Sequence, residues 1–267
     1  MVTEIINYCQ LRRVITLCLS IALYSISTMI HANVLNTHTW HAISNGIAYK
    51  QLKSSKKAPW AHIHVFKINL TSNVFSLVTA KDLSRTAASI EDYIVTPTIT
   101  LAINGGFFDK KYHPLGLRMR NFKQINPLKA ISWWGVFYIK NHHPTIVQTR
   151  AFHANNLIEF AIQSGPRLIM HGQAKHFKSQ LAERTALGIT PQGEVIILIT
   201  EHSPLSLTTL AKLMQGPSLN CIQALNLDGG HSTQLYLHTQ LLSLKVPGFA
   251  LISDAVIVQP LINLHVI

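Results

Sequence analysis

Two stretches of the chain place a carboxylate and paired glycines at the end of an apolar run. In Leu225-Asn226-Leu227-Asp228-Gly229-Gly230-His231-Ser232-Thr233, Asp228 stands where a core strand would carry Val or Leu. In Leu101-Ala102-Ile103-Asn104-Gly105-Gly106-Phe107-Phe108-Asp109 the order is apolar run, amide, Gly-Gly, carboxylate. Glycine pairs admit backbone angles that a Cβ forbids and allow a substrate close to the main chain. Successive amides in such a turn can form a concave donor surface for a phosphate or a sugar oxygen. Hydrolysis of a glycosidic bond usually employs two carboxylates in different protonation roles. Asp109 and Asp228 are the favoured pair, and the two turns are expected to build one site.

The chain has only 11 acidic residues, so the alternatives can be enumerated. Glu4 lies in the N-terminal segment, and Asp82, Glu91, Asp92, Glu159 and Glu194 fall where the pattern suggests solvent. Glu183, Glu201 and Asp254 join Asp109 and Asp228 in or beside apolar strand ends. A phosphate leaving group departs as a stable anion, so cationic and amide donors can replace a strong general acid. Arg167, Arg184 and the amides of Gly229 to Ser232 suit that task. Arg167 is the one charge in an apolar run, which implies a fixed carboxylate or phosphate partner; a structural ion pair is the competing explanation. His231 could serve as acid or base near neutral pH, and Ser232 or Thr233 could bind an oxyanion. Ser232 lacks the glycine-x-serine-x-glycine elbow of a nucleophile. His62 and His64 share one face of an alternating segment, but no further ligand stands at metal-site spacing; they are expected on a solvated face. No metal and no cofactor is expected.

These residues need strands that end at the turns. His62 to Leu70 alternates in the manner of a half-buried strand, within a strand region Ala61 to Val78 that follows another at Trp40 to Ala48. Ser84 to Tyr93 is expected as a helix capped by Ser84. Ile99 to Ile103 is the strand before the first turn. Ser132 to Gln148 predicts a β-hairpin with a four-residue tip, Asn141 to Pro144, and the turn Pro191 to Glu194 predicts another. Leu207, Leu210, Ala211 and Met214 have helical spacing behind Ser206, with Gly216-Pro217 as the stop. Cys221 to Leu227 is the strand before the second turn, and Phe249 to Gln259 supplies a last strand.

Composition sets the frame. Of 267 residues, 48% are hydrophobic and 13% charged, ample for one main globular domain. Arg12-Arg13, the uncharged run Val14 to Ile30 and the small residue Ala32 have the layout of a secretory signal. Residues 1–32 are expected as a leader, or as an anchor if uncut, with a domain at 33–267 in the periplasm or secreted. Cys9 and Cys18 lie in that segment, leaving Cys221 as a buried core thiol with no disulfide partner. The net charge of +12 becomes +11 without the two arginines and one glutamate of residues 1–32. Such a surplus attracts polyanions. No nucleic-acid module motif is present, so phosphorylated glycans or anionic lipid surfaces are more plausible partners than nucleic acid, and the leader, if uncut, is the expected point of membrane attachment.

The series Asn104-Gly105-Gly106-Phe107-Phe108-Asp109, Pro114-x-Gly116, Ser164-Gly165-Pro166-Arg167, Arg184-x-x-x-Gly188 and Asn226-Leu227-Asp228-Gly229-Gly230-x-Ser232-Thr233 resembles the phosphodiester glycosidase family, over Ala61 to Val258. The resemblance implies an α+β domain of twisted mixed or antiparallel sheets with flanking helices. It also implies hydrolysis of a sugar-1-phosphodiester at the anomeric carbon. Matched by position, Asn104, Gly105, Gly106, Asp109, Arg167, Arg184, Asp228, Gly229, Gly230, Ser232 and Thr233 form the implied site. Two positions depart from the family pattern: His231 replaces a third glycine, and Glu201-His202-Ser203 replaces Asp-Gly-Arg, although Glu201 keeps a carboxylate. Two other functions fit the same residues: a glycan-binding module without catalysis, and a metal-dependent phosphodiesterase using Asp109, Asp228 and His231.

Overall fold

The computed structural model describes residues 39–53 and 60–261. The expected leader and part of the polar loop before Pro59 lie outside the described residues. The chain runs through β1 (His41–Ser44), β2 (Ile47–Lys53), β3 (His62–Ile68) and β4 (Asn73–Thr79). β5 (Leu101–Asn104) leads into the first Gly-Gly turn, followed by β6 (Arg118–Arg120), β7 (Lys123–Asn126), β8 (Gly135–Lys140) and β9 (His143–Gln148). Next come β10 (Ile158–Ser164), β11 (Arg167–Met170), β12 (Gln173–Ala174), β13 (Thr185–Ile189) and β14 (Val195–Glu201). Helix α1 (Leu207–Gln215) precedes β15 (Gln223–Asn226), β16 (Leu235–His238), β17 (Ser243–Val246) and β18 (Asp254–Pro260).

These strands form three sheets. The first has the order β1-β2-β3-β14-β13-β15-β11-β12, the second β7-β6-β10-β8-β9 and the third β17-β16-β5-β18-β4. The pairings within them are antiparallel, one of the two arrangements expected. Apolar side chains of the first sheet pack with Leu210, Ala211 and Met214 of α1 and with Cys221. Burial pushes the Cys221 thiol up to about 12, and Gly188 leaves room for its sulfur, which lies 2.6 Å from where a Cβ would stand. Phe75 of β4 meets Phe137 and Phe160 of the second sheet.

Three expectations need correction. Ser84 to Tyr93 is not a helix: two short 3-10 turns, Ala80–Leu83 and Ile90–Tyr93, occupy this region. Asp82 accepts both the amide and the hydroxyl of Thr79, and Asp92 does the same for Ser89. Such local bonds compete with a continuous helix, and Ser84 ends the first turn at φ +55°. The region Ala61 to Val78 divides at 69–72 into β3 and β4, which belong to different sheets. The hairpin tip is two residues long, because Lys140 pairs with His143 and only Asn141 and His142 turn the chain. Both have positive φ, as the right-handed twist of a two-residue hairpin favours. Flanking helices reduce to the nine residues of α1 and a few 3-10 turns among the described residues. No helix among the described residues is long and apolar enough to cross a membrane.

Candidate active site

β5 of the third sheet and β15 of the first end side by side, and the two Gly-Gly turns leave from those ends. The side chain of Asn104, fully buried, joins them. Its amide donates to the carbonyls of Asp228 (2.8 Å) and Gly105 (3.2 Å). Its oxygen accepts the Thr185 hydroxyl (2.7 Å) and the Gln234 amide (3.2 Å). Asn104 is therefore committed to the protein, and orients the Asp228 turn.

The glycines serve mainly close approach. A Cβ on Gly105 would stand 1.7 Å from Asp254 Oδ1, and one on Gly106 would stand 2.8 Å from an Arg118 nitrogen. A Cβ on Gly229 would meet the Glu183 carbonyl at 2.6 Å. Gly230 alone of these four has a left-handed backbone, at φ +61°. Four amides of the second turn are bonded within the fold: Gly229 donates to the Asp228 carboxylate, Gly230 to Glu183, Ser232 to Gly229 and Thr233 to Gly230. Gly105 donates to the Asp254 carbonyl. These bonds shape the two turns. His231 sits in the 3-10 turn Gly230–Ser232 without positive φ, so its replacement of a glycine strains nothing. Its ring lies edge-on to Phe249 at 6.0 Å.

Asp228 accepts the Gly229 amide at 2.9 Å and the Ser232 hydroxyl. Burial raises its pKa above the ordinary 3.8, and hydrogen bonds from Ser232 and Gly229 oppose the rise. The neighbouring charges that act on it are Asp254, which raises the pKa further, and Arg118, which lowers it. Asp109 is not among them. Its carboxylate is exposed and caps its own loop, accepting the amides of Lys111 and His113 and the His113 ring nitrogen at 3.0 Å. The His113 amide is the main cause that holds the Asp109 carboxyl below its ordinary range.

The acid beside Asp228 is Asp254, at the start of β18. It forms a fully buried ion pair with Arg118 of β6, Nε to Oδ1 3.1 Å. Arg118 also donates to the carbonyls of Leu117, Gln163 and Phe107, and Ser253 donates to the second oxygen of Asp254. Sequence patterning brought Asp254 into the set of strand-end acids but left Arg118 unnoticed. The available signal was an arginine between Leu117 and Met119, in a segment whose neighbours are apolar.

Arg167 and Arg184 have different fates. Arg184 donates through Nε to Leu205 and through a terminal nitrogen to Gln180 (2.8 and 2.6 Å), holding the loops around β13. Arg167 makes no ion pair with any described residue, and its buried Nε has no acceptor among them. Gly135 leaves space for its stem, with Cγ 2.6 Å from the missing Cβ. Burial, and then the charge of Arg150, lower its pKa. Buried polar atoms without a described partner recur nearby: Trp134 Nε1, Ser164 Oγ, Asn226 Oδ1 and Thr233 Oγ1. Asn226 donates to the carbonyl of Gly165, and Gly165 packs against Trp134. This group borders Asp228 through Asn226 and Leu227. Unsatisfied buried polar atoms are rare in a finished core, and a guanidinium without a counter-charge fits an anion.

Glu201 stands apart from the turn. It closes β14 opposite His62 and accepts His64 Nε2 at 3.0 Å, which keeps its carboxyl below the ordinary range. His64 Nδ1 meets the Tyr49 hydroxyl at 3.0 Å. His64 is buried, contrary to the expectation of a solvated face, because Tyr49 of β2 and Glu201 of β14 close on its ring from either side. Among the described residues no three His, Cys, Asp or Glu side chains group as a metal would need; Asp109, Asp228 and His231 each engage different partners.

The profile of the phosphodiester glycosidase family matches residues 97–259, which hold both turns, Arg118, Arg167 and Asp254. The chain belongs to that family. Its fold is similar to the catalytic domain of zebrafish N-acetylglucosamine-1-phosphodiester alpha-N-acetylglucosaminidase, with a TM-score of 0.65 and 18% identity over 82% of this chain and 85% of that one. A hypothetical protein from Synechocystis gives 0.58 and 17% over 82% and 63%. In sequence it is 32% identical over 117 residues to the uncharacterised Escherichia coli (strain K12) protein YigE. That match covers 39% of this chain and 46% of YigE, about half the length of that relative.

Proposed function

We propose that the chain is an exported hydrolase that cleaves a glycosyl phosphodiester in an envelope or extracellular glycan. The observation that carries this reading is Arg167, a partly buried guanidinium with no counter-charge among the described residues, on the strand β11 that pairs with β15, whose end leads into the Asp228 turn. Family membership supports the reaction class. Asp228, whose raised pKa makes it a stronger base than an ordinary aspartate, removes a proton from the attacking water. Arg167 holds the phosphate that leaves. That phosphate departs as an anion and needs electrostatic support more than a proton. Ser232 orients Asp228, and the Asp254–Arg118 pair fixes the turn beneath it.

The test is release of free sugar from UDP-N-acetylglucosamine and from a simple sugar-phosphate diester, with and without EDTA. Wild type should release sugar in both conditions, and Asp228→Asn should lose about 10²–10⁴-fold in turnover. Undiminished turnover in Asp228→Asn would remove this residue from the mechanism. Export is the second part of the proposal, motivated by the pattern of Met1 to Ala32. Cutting after Ala32 gives a mature protein that begins at Asn33, and its intact mass checks this.

A further inference from the structure

A cavity of about 280 Å³ opens beside the loop that Asp109 caps, and Asp228 is not among its lining residues. Its size is near the lower end of the roughly 300–1,000 Å³ typical of small-molecule sites. Five cationic side chains line it, Lys81, Arg85, Lys111, Arg118 and Arg120, against a single carboxylate, Asp82. That carboxylate is consumed by Arg120 in a two-pronged pair at 2.6 and 2.7 Å. Arg85 is paired with Asp92, and Arg118 with Asp254. Lys81 and Lys111 have no ion pair among the described residues, so the cavity carries uncompensated positive charge.

Tyr112 forms part of the same wall. It has φ +63°, a conformation costly for a bulky side chain and most often kept where a site needs it. Its ring stacks on Phe108 at 5.2 Å. The surrounding loop is held by Asp109, which ties the amides of Lys111 and His113 and presents Tyr112 between them. An aromatic residue and two lysines without ion pairs in one cavity lining match a sugar that carries an anion: the ring takes the apolar face and the lysines take the charge. Arg118 and Ser253 also line the cavity, so it abuts the ion pair whose other neighbour is Asp228.

We propose that this cavity is a second subsite, which binds an anionic sugar residue of the glycan next to the bond that is cleaved. The inference rests on the hydrolase reading for its place in the reaction, but its binding test needs no turnover. Calorimetric titrations at low salt would use glucose 6-phosphate, glucuronate and glucose as probes. At least one anionic sugar should bind wild type and Arg167→Met alike, and about tenfold more weakly to Lys81→Ala/Lys111→Ala, while glucose should not bind. The tighter of the two anions identifies phosphate or carboxylate as the recognised group. Tyr112→Gly keeps the left-handed backbone available and deletes the ring, and should also weaken binding. The proposal is overturned by equal binding of glucose, by no binding of either anion, or by affinity that falls with Arg167→Met and ignores the lysine pair. Binding retained without any sugar release in the hydrolysis assay would overturn the hydrolase reading alone.

Discussion

Asp228 is the residue whose environment departs most usefully from its type. Its pKa is raised chiefly by burial, so the folded protein binds its proton more readily than the unfolded chain does. Stability therefore falls as pH rises from the ordinary 3.8 through the folded value, and the penalty stays constant above that. Asp228→Asn keeps an oxygen for the Gly229 amide and removes the penalty. The variant should melt higher than wild type at pH 7, and the gain should vanish below pH 3.8. Thermal melts across pH check both parts; a variant less stable at pH 7 would contradict this account of the carboxyl. Arg118 makes the opposite case. Removing one member of a buried ion pair leaves the other charge uncompensated, so Arg118→Met should cost about 3–5 kcal/mol in urea denaturation. Single residues of this kind were only partly legible. Asp228 was visible because a carboxylate interrupts an apolar run. The sequence favoured Asp109 as the partner for Asp228, but Asp254 also follows an apolar stretch, and it is burial that sets Asp254 beside Asp228 and leaves Asp109 exposed.

Among the elements, the two Gly-Gly turns were the clearest signal and had an unexpected basis. Their motif suggested amides open to substrate, yet the amides of Gly105, Gly229, Gly230, Ser232 and Thr233 donate to neighbouring carbonyls and to Asp228 itself. Close packing on Asp254, Arg118 and Glu183 is what excludes a Cβ. Gly105→Ala should consequently abolish stable folding, which circular dichroism would show as loss of the cooperative transition. Helix α1 was legible because its apolar spacing and its Ser206 cap agree, with the Ser206 oxygen accepting the Thr209 amide at 3.1 Å. Ser206→Ala should cost about 1 kcal/mol. The supposed helix at Ser84 to Tyr93 failed for a local reason. Asp82 and Asp92 answer the backbone three residues earlier, a bond pattern that starts a turn equally well without a helix to follow.

At the scale of the molecule, strand content was readable but the assignment of strands to sheets was not. β3 and β4 form one apolar stretch in sequence and yet enter different sheets, because pairing partners such as β14 and β18 lie far along the chain. The same distance shapes the site. Asn104 and Asp228 are 124 residues apart, and the amide that connects them spans the ends of two sheets. The order of events during folding follows from this. Strand pairs joined by short turns, such as β8 with β9, can form early, whereas contacts that close long loops form at greater entropic cost. Asn104 can engage Asp228 only once both sheets exist, so the geometry of the candidate site arises at the last stage of folding. In refolding from urea, the sugar release of the proposed hydrolase should return later than the far-ultraviolet β-sheet signal, and its recovery would then serve as a clock for the docking of one sheet on the other.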